Sequence, residues 1–405
     1  MNSRDSASIR TGERWLILAV LFLARTVMGF QFQAVAALSA SVVADFRIDY
    51  AQLGLLIGLY LLPGIVIAYP GGLLGQRFGD KRIAVLGMAL MVAGGLLTAS
   101  DDYALFFAGR LISGAGAVLL NVLLTKMATD WFAGREIGTA LALLVSSWPI
   151  GIGIALISLP WLATQTTVGL AFVSTAVAAA LVLALIAVFY YVPSAALPST
   201  RPNRSERPRL SMSEFGLVSL AGGIWTLFNV GYILVVSFGP ALLISKGLGP
   251  QEAAALISLV AWTGIVTIPF GGVLIDRIGH ATTLMIVSLG AVALGVMLLP
   301  ISPSLPIVMF IGAVTGLPAG AIMVLPGEVL RPQNRSAGMG VFFTWYYAGM
   351  ALLTPVAGIL RDATGEPSAP LVFAAVLEVL AIAILIALRL TQRQGDPPAV
   401  RLPSQ

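Results

Sequence analysis

The stretch Gly72-Leu-Leu-Gly-Gln-Arg-Phe-Gly79 has a near copy 200 residues later, Gly272-Val-Leu-Ile-Asp-Arg-Ile-Gly279. Each copy begins with a glycine, carries an arginine in its sixth position and ends on a second glycine. The same shift aligns two further pairs, Gly116 with Gly316 and residues 135–138 with residues 335–338. One shift that satisfies three separate matches predicts a chain made of two similar halves.

The composition around these stretches excludes a water-soluble protein. Of the 405 residues, 58% are hydrophobic and 10% are charged, whereas soluble domains carry about 25% charged residues. A spanning helix needs roughly 20 apolar residues, so the length accommodates about twelve spans and little else. The sequence has no cysteine and a single histidine, His280, which excludes thiolate and histidine-cluster metal sites. We therefore predict an all-α membrane protein that uses no cofactor and, for want of a clustered acid, base and nucleophile, is not an enzyme.

Twelve hydrophobic stretches follow one another along the chain and set the expected domain boundaries. They lie near residues 14–44, 51–76, 82–100, 103–131, 135–160, 167–191, 214–245, 250–276, 281–300, 304–331, 335–362 and 368–391. The longest polar break, residues 193–213, is rich in proline, serine and arginine, which is typical of a linker. We expect one six-helix half over residues 1–192 and another over residues 214–405. Each half starts and ends on the same side of the membrane, so the halves are parallel repeats with a binding site at their interface.

The basic residues sort by side of the membrane. If the N-terminus is cytoplasmic, 17 basic residues fall on the cytoplasmic side and three, Arg47, Lys246 and Arg361, fall on the other. The positive-inside rule therefore places both termini and the linker in the cytoplasm of a plasma (inner) membrane. This asymmetry accounts for the net charge of +5, so we expect no nucleic-acid partner; the basic linker can also contact anionic membrane lipid. We expect the protein to be a monomer.

Two motifs resemble those of the major facilitator superfamily. The stretch Gly272-x-Leu-x-Asp-Arg-x-Gly279 matches that superfamily's loop signature between neighbouring helices, and residues 110–117, Arg-Leu-Ile-Ser-Gly-Ala-Gly-Ala, resemble its fourth-helix motif. The resemblance covers essentially the whole chain and implies twelve spanning helices in two parallel six-helix pseudo-repeats that alternate access by a rocker switch. Within the superfamily, residues 131–136 and an arginine in the first helix look most like the bacterial carriers of cyanate, nitrate, oxalate and related anions.

The loop signature suggests a conformational lock. Asp276 ends a predicted helix and can face the positive N-terminal end of the helix that starts near Arg135. In the first copy Gln76 stands where the superfamily usually has aspartate, so the equivalent contact with the helix near Arg335 should be weaker. The predicted gating residues are Gly72, Gln76, Arg77, Arg135, Asp276, Arg277 and Arg335. The alternative is a loop that only sets topology, a role for which Arg77 and its basic neighbours suffice.

Four ionisable residues fall within predicted spans: Arg25, Arg110, Lys126 and Glu378. Arg25 lies roughly 16 Å deep at 1.5 Å per residue, close to the bilayer midplane. We predict that Arg25 is the principal ligand of an anionic substrate, assisted by Arg110 if the two side chains converge; the alternative is an arginine bonded permanently to backbone carbonyls. For Lys126 we expect a snorkelling or gate role, and for Glu378 a structural hydrogen bond or a lipid headgroup contact rather than a coupling role.

Helical spacing selects the side chains that share a face with these arginines. Phe32 follows Arg25 on its face, and Asn121 follows Arg110, at about 100° per residue. Trp225 is the partner of Arg25 under the shift of 200, and it predicts an aromatic wall opposite the cation. The predicted substrate-binding residues are Arg25, Phe32, Arg110, Asn121, Trp225, Asn229, Tyr232, Tyr346 and Tyr347; further candidates are Tyr60, Trp148, Trp262, Thr344 and Trp345. The alternative for the aromatic residues is ordinary helix packing.

These observations favour a secondary active or facilitative transporter of a small organic or inorganic anion. No G-x-x-x-x-G-K-[ST] loop occurs, so ATP drive within the chain is unsupported. A proton-coupled drug or cation exporter is the first alternative, but the predicted central helices lack a deep carboxylate. A membrane receptor without transport is the second. Among the prolines of the predicted spans, seven are singled out as permitting either gating kinks or static bends: Pro63, Pro70, Pro149, Pro269, Pro318, Pro326 and Pro355.

Overall fold

The computed structural model describes residues 3–132, 136–191 and 210–394, and within these ranges every regular element is helical. The helices are α1 Ser3–Ala37, α2 Ser39–Phe46, α3 Tyr50–Leu59, α4 Gly64–Phe78, α5 Asp80–Leu97, α6 Tyr103–Phe132, α7 Ile137–Gln165, α8 Val168–Phe189, α9 Met212–Ser245, α10 Pro250–Ile278, α11 Ala281–Leu298, α12 Leu305–Thr315, α13 Ala319–Val329, α14 Arg335–Thr364 and α15 Ala369–Gln394.

These helices form the twelve expected spans, with α1 and α2 making the first span, α3 and α4 the second and α12 and α13 the tenth. Eleven spans within the described ranges are long and apolar enough to cross a bilayer by length and composition. The other span, α5, has 18 residues and begins with three charged ones, Asp80, Lys81 and Arg82. Outward-facing apolar side chains such as Val188, which is 72% exposed, suit a lipid environment. The prediction of a twelve-helix, all-α membrane protein is confirmed.

Two of the seven prolines stand at breaks in a span. Pro63 lies between α3 and α4, and Pro318 lies between α12 and α13, whereas the other five remain inside continuous helices. Each break packs against a glycine of a neighbouring helix. A side chain on Gly114 of α6 would collide with the backbone carbonyl of Tyr60, and one on Gly271 of α10 with that of Leu317. Small residues at these points let the irregular backbone approach closely.

Two groups of helices, α1–α8 and α9–α15, pack side by side. We call the end at which α1 and α9 begin the linker end, and the other end the opposite end. The linker itself, residues 193–213, lies mostly outside the described residues, so its boundaries stay a prediction. Near the start of α9, Glu214 reciprocates the cap of Ser211 and accepts hydrogen bonds from the Arg331 backbone and the Asn334 amide. This network ties α9 to the segment between α13 and α14.

Candidate functional site

The two groups of helices meet most closely at the opposite end. Helices α3 and α14 pack through glycines: side chains on Gly54 and Gly58 would collide with the α14 backbone, and one on Gly358 with the α3 backbone. The buried Gln33 amide of α1 also donates a hydrogen bond of 2.9 Å to the Val236 carbonyl of α9. On α7, Thr164 accepts a hydrogen bond of 2.8 Å from the Gln251 side chain of α10.

At the linker end the ion pairs lie within one group of helices. Arg14 of α1 pairs with Glu136 at the start of α7 at 2.8 Å. In the second group, Arg389 of α15 pairs with Glu328 of α13 at 2.6 Å and donates to Thr282 of α11 at 2.9 Å. Among the described residues, therefore, the hydrogen bonds between the groups lie at the opposite end and at mid-depth, and no ion pair joins the groups at the linker end.

Arg25 lies at mid-depth on α1 and faces the second group of helices. Its guanidinium interacts electrostatically with the phenol groups of Tyr346 and Tyr347 on α14. Its Nε is buried without a hydrogen-bond partner, and the guanidinium forms no ion pair with any described residue. A cation held at this depth without an acid has unused capacity for an anion, which a planar guanidinium binds in a bidentate manner.

The wall opposite Arg25 is aromatic. Trp225 of α9 packs against Tyr346 at a ring-centroid distance of 6.4 Å, and Tyr346 contacts Tyr347 edge to face at 5.1 Å. Phe342 of α14 stacks on Trp225 at a ring-centroid distance of 6.2 Å. The structure therefore places Tyr346 and Tyr347 toward the interior, while Thr344 is exposed and Trp345 is 48% exposed on the outer surface of α14.

Three further buried donors have no hydrogen-bond partner among the described residues. The indole Nε1 of Trp225, the hydroxyl of Tyr232 and the indole Nε1 of Trp262 are all buried and unbonded among the described residues. Trp262 of α10 lies against Gly153 of α7, at which an added side chain would contact the indole ring. Each buried donor left unbonded costs about 1–3 kcal/mol, so these groups and the Arg25 guanidinium favour a ligand with acceptor oxygens.

Arg110 does not join this donor set. Its guanidinium is 1% exposed and donates to three backbone carbonyls: Nε to Leu56 at 3.0 Å, and the two terminal nitrogens to Gln31 at 2.9 Å and Phe32 at 3.1 Å. It also lies 4.7 Å above the Tyr60 ring. The expectation that Arg110 assists Arg25 is therefore corrected: in this conformation it fastens α6 to α1 and α3, because their carbonyls already use its planar donors.

Of the remaining predicted binding residues, one lies beside Arg25 and two belong to the helix packing around it. The Asn121 amide of α6 donates to the Tyr347 hydroxyl at 3.1 Å, a bridge between the two groups beside Arg25. Asn229 uses its amide nitrogen within α9, on the Trp225 carbonyl at 2.7 Å. Phe32 is fully buried between Tyr60 and Trp148, at 5.7 Å and 5.4 Å, so it supports α1 rather than facing an open space.

Two other intramembrane residues differ from expectation or extend it. Lys126 bridges the Asp80 carboxylate of α5 and Asp130 of its own helix, so it belongs to an ion-pair network and not to a snorkelling position alone. Glu378 is 1% exposed, and neither carboxylate oxygen has a hydrogen-bond partner among the described residues. The expected structural hydrogen bond or lipid contact of Glu378 is therefore wrong. The carboxyl group fits into the space that Gly231 leaves on α9.

The predicted lock at the linker end is largely beyond what can be described. The structure describes only the backbone of Gly72, Gln76 and Asp276. Arg135 lies outside the described residues. Arg77 is exposed and lies 5.3 Å over the Phe78 ring, and Arg277 and Arg335 are exposed. The gating assignment of these residues stays a prediction. Among the described residues no cluster of metal ligands occurs.

Comparison with known proteins gives a consistent result over the full length. The Major Facilitator Superfamily model matches residues 21–240 and 220–404. The human lysosomal dipeptide transporter MFSD1 is 22% identical over 95% of this chain and 88% of its own. The 3-(3-hydroxy-phenyl)propionate transporter of Escherichia coli strain K12 is 25% identical over 72% of each chain. Among solved structures, the inward-open xylose transporter XylE of E. coli superposes with a TM-score of 0.77 at 14% identity, covering 92% of this chain and 96% of that one.

Proposed function

The chain belongs to the Major Facilitator Superfamily, and from that membership we propose that it is a secondary transporter of a small anion that binds to Arg25 between the two groups of helices. The observation that carries the proposal is a mid-depth guanidinium with a buried, unbonded Nε and no described acid to pair with it. An intramembrane cation is costly, and an anionic substrate supplies the missing charge.

The surrounding side chains favour an organic carboxylate among small anions. A carboxylate can accept two parallel hydrogen bonds from the Arg25 guanidinium, and the unbonded indole N–H of Trp225 lies on the same aromatic wall as Tyr346. The Trp225–Tyr346 wall can pack against a planar or aromatic body. A propionate with a hydroxyphenyl ring, the substrate class in the name of the E. coli relative, has both parts, and a dipeptide, named for the human relative, also carries a carboxylate.

The conformation supports alternating access. We infer that the site is closed toward the opposite end by α3–α14 packing and open toward the linker end, where no described hydrogen bond or ion pair joins the two groups. With both termini in the cytoplasm of the plasma membrane, as the basic residues favour, this is a conformation open to the cytoplasm. Rocking of the two groups would then expose Arg25 to the other side.

A thermal-shift screen on purified protein tests the proposal. The panel consists of 3-(3-hydroxyphenyl)propionate, oxalate and nitrate, with 3-(3-hydroxyphenyl)propan-1-ol as a matched neutral control. A ligand that binds only the folded state adds about 2.7 kcal/mol at 100 times its dissociation constant. We expect stabilisation by at least one anion and none by the alcohol. An anion site would be refuted if the alcohol stabilised the protein as much as the anion does. It would also be refuted if neutral solutes stabilised the protein and no anion did.

Arg25→Lys is the matched variant for this screen. It keeps the positive charge and removes the planar fork, so anion stabilisation should shrink while the unfolding midpoint without ligand stays close to that of the wild type. Arg393→Lys makes the same exchange at an exposed position near the end of α15 and should leave both quantities unchanged.

A further inference from the structure

The N-terminus of α3 is capped by a carboxylate from the other group of helices. Asp362, near the end of α14, accepts a hydrogen bond from the Tyr50 backbone N–H at 3.1 Å through Oδ1. Its Oδ2 accepts a second from the Ala51 backbone N–H at 2.7 Å. The contact is thus bidentate, and it joins residues more than 300 positions apart in the sequence.

The helix already has a local cap, and Asp362 completes it. Asp49 forms a capping box with Gln52, in which the Asp49 carboxylate accepts from the Gln52 N–H at 2.7 Å. A local cap of this kind leaves the first two amides of a helix unbonded. Asp362 accepts from those two amides, and its negative charge lies at the positive end of the helix dipole.

Two neighbouring contacts hold the carboxylate in register. The guanidinium of Arg361, the preceding residue, lies 3.4 Å from the centre of the Tyr50 ring. Gly358, one turn earlier on α14, lies against the backbone of Tyr50 and Ala51, where a side chain would collide. The three contacts converge on the first turn of α3.

We propose that Asp362 and the first turn of α3 form a latch that keeps the opposite end closed and must break when that end opens. The proposal rests on the alternating access proposed above, but not on the nature of the substrate. Since every described hydrogen-bond partner of Asp362 lies in the other group of helices, separation of α3 from α14 removes both hydrogen bonds at once. The latch therefore biases the protein toward the conformation that is open at the linker end.

The test is a distance measurement in a chain whose sequence has no native cysteine to remove. Spin labels on Asp101→Cys and Glu366→Cys, two exposed positions at the opposite end, report the separation of the two groups. Asp362→Asn keeps the size of the side chain and removes its charge, which weakens the interaction with the helix dipole. Because Asp362 is exposed, we expect the ratio of long-distance to short-distance populations to rise about two- to fivefold.

Asp45→Asn is the matched control, because Asp45 is an exposed acid at the same end without an ion pair to a described residue. It should leave the distance distribution unchanged, and Asp362→Glu, which retains the charge, should restore most of the short-distance population. An unchanged distribution in Asp362→Asn, or an equal change in Asp45→Asn, overturns the latch. Failure of the proposed substrate site would appear instead in the ligand screen, because the distance measurement does not depend on ligand binding.

Amide exchange of the wild-type chain gives a second measurement that needs no folded variant. The amides of Tyr50 and Ala51 should exchange more slowly than those of Val168 and Gly169, the first two residues of α8. The Thr167 cap of α8 bonds only the third amide, Leu170, among the described residues. Equal exchange at the two helix starts contradicts the latch.

Discussion

Arg110 and Arg25 are both intramembrane arginines, and the structure predicts opposite consequences for the same substitution. Arg110→Lys keeps the charge but places its donors on one nitrogen, whereas three separate nitrogens of Arg110 bond the three carbonyls. Hydrogen bonds from charged groups contribute about 1.5–3 kcal/mol each in soluble proteins, and interhelical ones in membranes average about 0.6 kcal/mol. Loss of one or two such bonds, together with the position over the Tyr60 ring, gives an expected destabilisation of about 2–4 kcal/mol.

The assay is equilibrium unfolding of the purified protein in mixed detergent micelles, followed by tryptophan fluorescence. Arg393→Lys serves as the exposed control and should change the free energy of unfolding by less than about 0.5 kcal/mol. The reasoning is refuted if Arg110→Lys unfolds like the wild type, or if it weakens anion binding while its stability is unchanged.

Two more predictions concern packing and the buried acid. Gly114→Ala should lower the free energy of unfolding by about 1–3 kcal/mol, because the added methyl group meets the Tyr60 backbone, which cannot turn away as a side chain would. Gly216→Ala, in open space on α9, should not lower it. Equal effects of the two variants in the same unfolding assay would contradict the packing. Glu378→Gln should be at least as stable as the wild type, since no described partner is lost and a carboxylate without partners is costly to bury. A decrease of more than about 2 kcal/mol in the free energy of unfolding would contradict this, because it would mean that Glu378 makes a stabilising bond.

The helices are well predicted from the sequence because their signal is local. Runs of apolar residues set the spans, and the shift of 200 residues reveals two similar halves from residue spacing alone. The breaks are less predictable: of seven prolines, only Pro63 and Pro318 stand where a span breaks, and each break lies against a glycine of another helix. Which proline breaks its helix therefore depends on tertiary packing that a single span does not record.

The candidate site is predictable in its charge but not in its pairing. The sequence shows both Arg25 and Arg110 as intramembrane arginines, and it predicts that Arg110 assists Arg25 if the two side chains converge. Only three-dimensional packing shows that the Arg110 nitrogens reach the carbonyls of two other helices, while the Arg25 Nε reaches no described acceptor. The sequence also predicts a helix-dipole contact by Asp276, whereas the structure displays one made by Asp362 at the opposite end. Nothing local to Asp362 signals that contact, since its partner lies more than 300 residues away.

The central claim, that Arg25 binds the transported anion, is tested most directly by uptake into proteoliposomes. The measurement is the concentration dependence of uptake of whichever panel anion stabilises the wild type, compared among wild type, Arg25→Lys and Arg25→Gln at equal amounts of folded protein. In Arg25→Lys the bidentate hydrogen bonds are lost, so the concentration that gives half-maximal uptake should rise at least about tenfold, the equivalent of about 1.4 kcal/mol. Arg25→Gln should abolish saturable uptake. Unchanged half-saturation in both variants would contradict the claim and remove Arg25 from the substrate site.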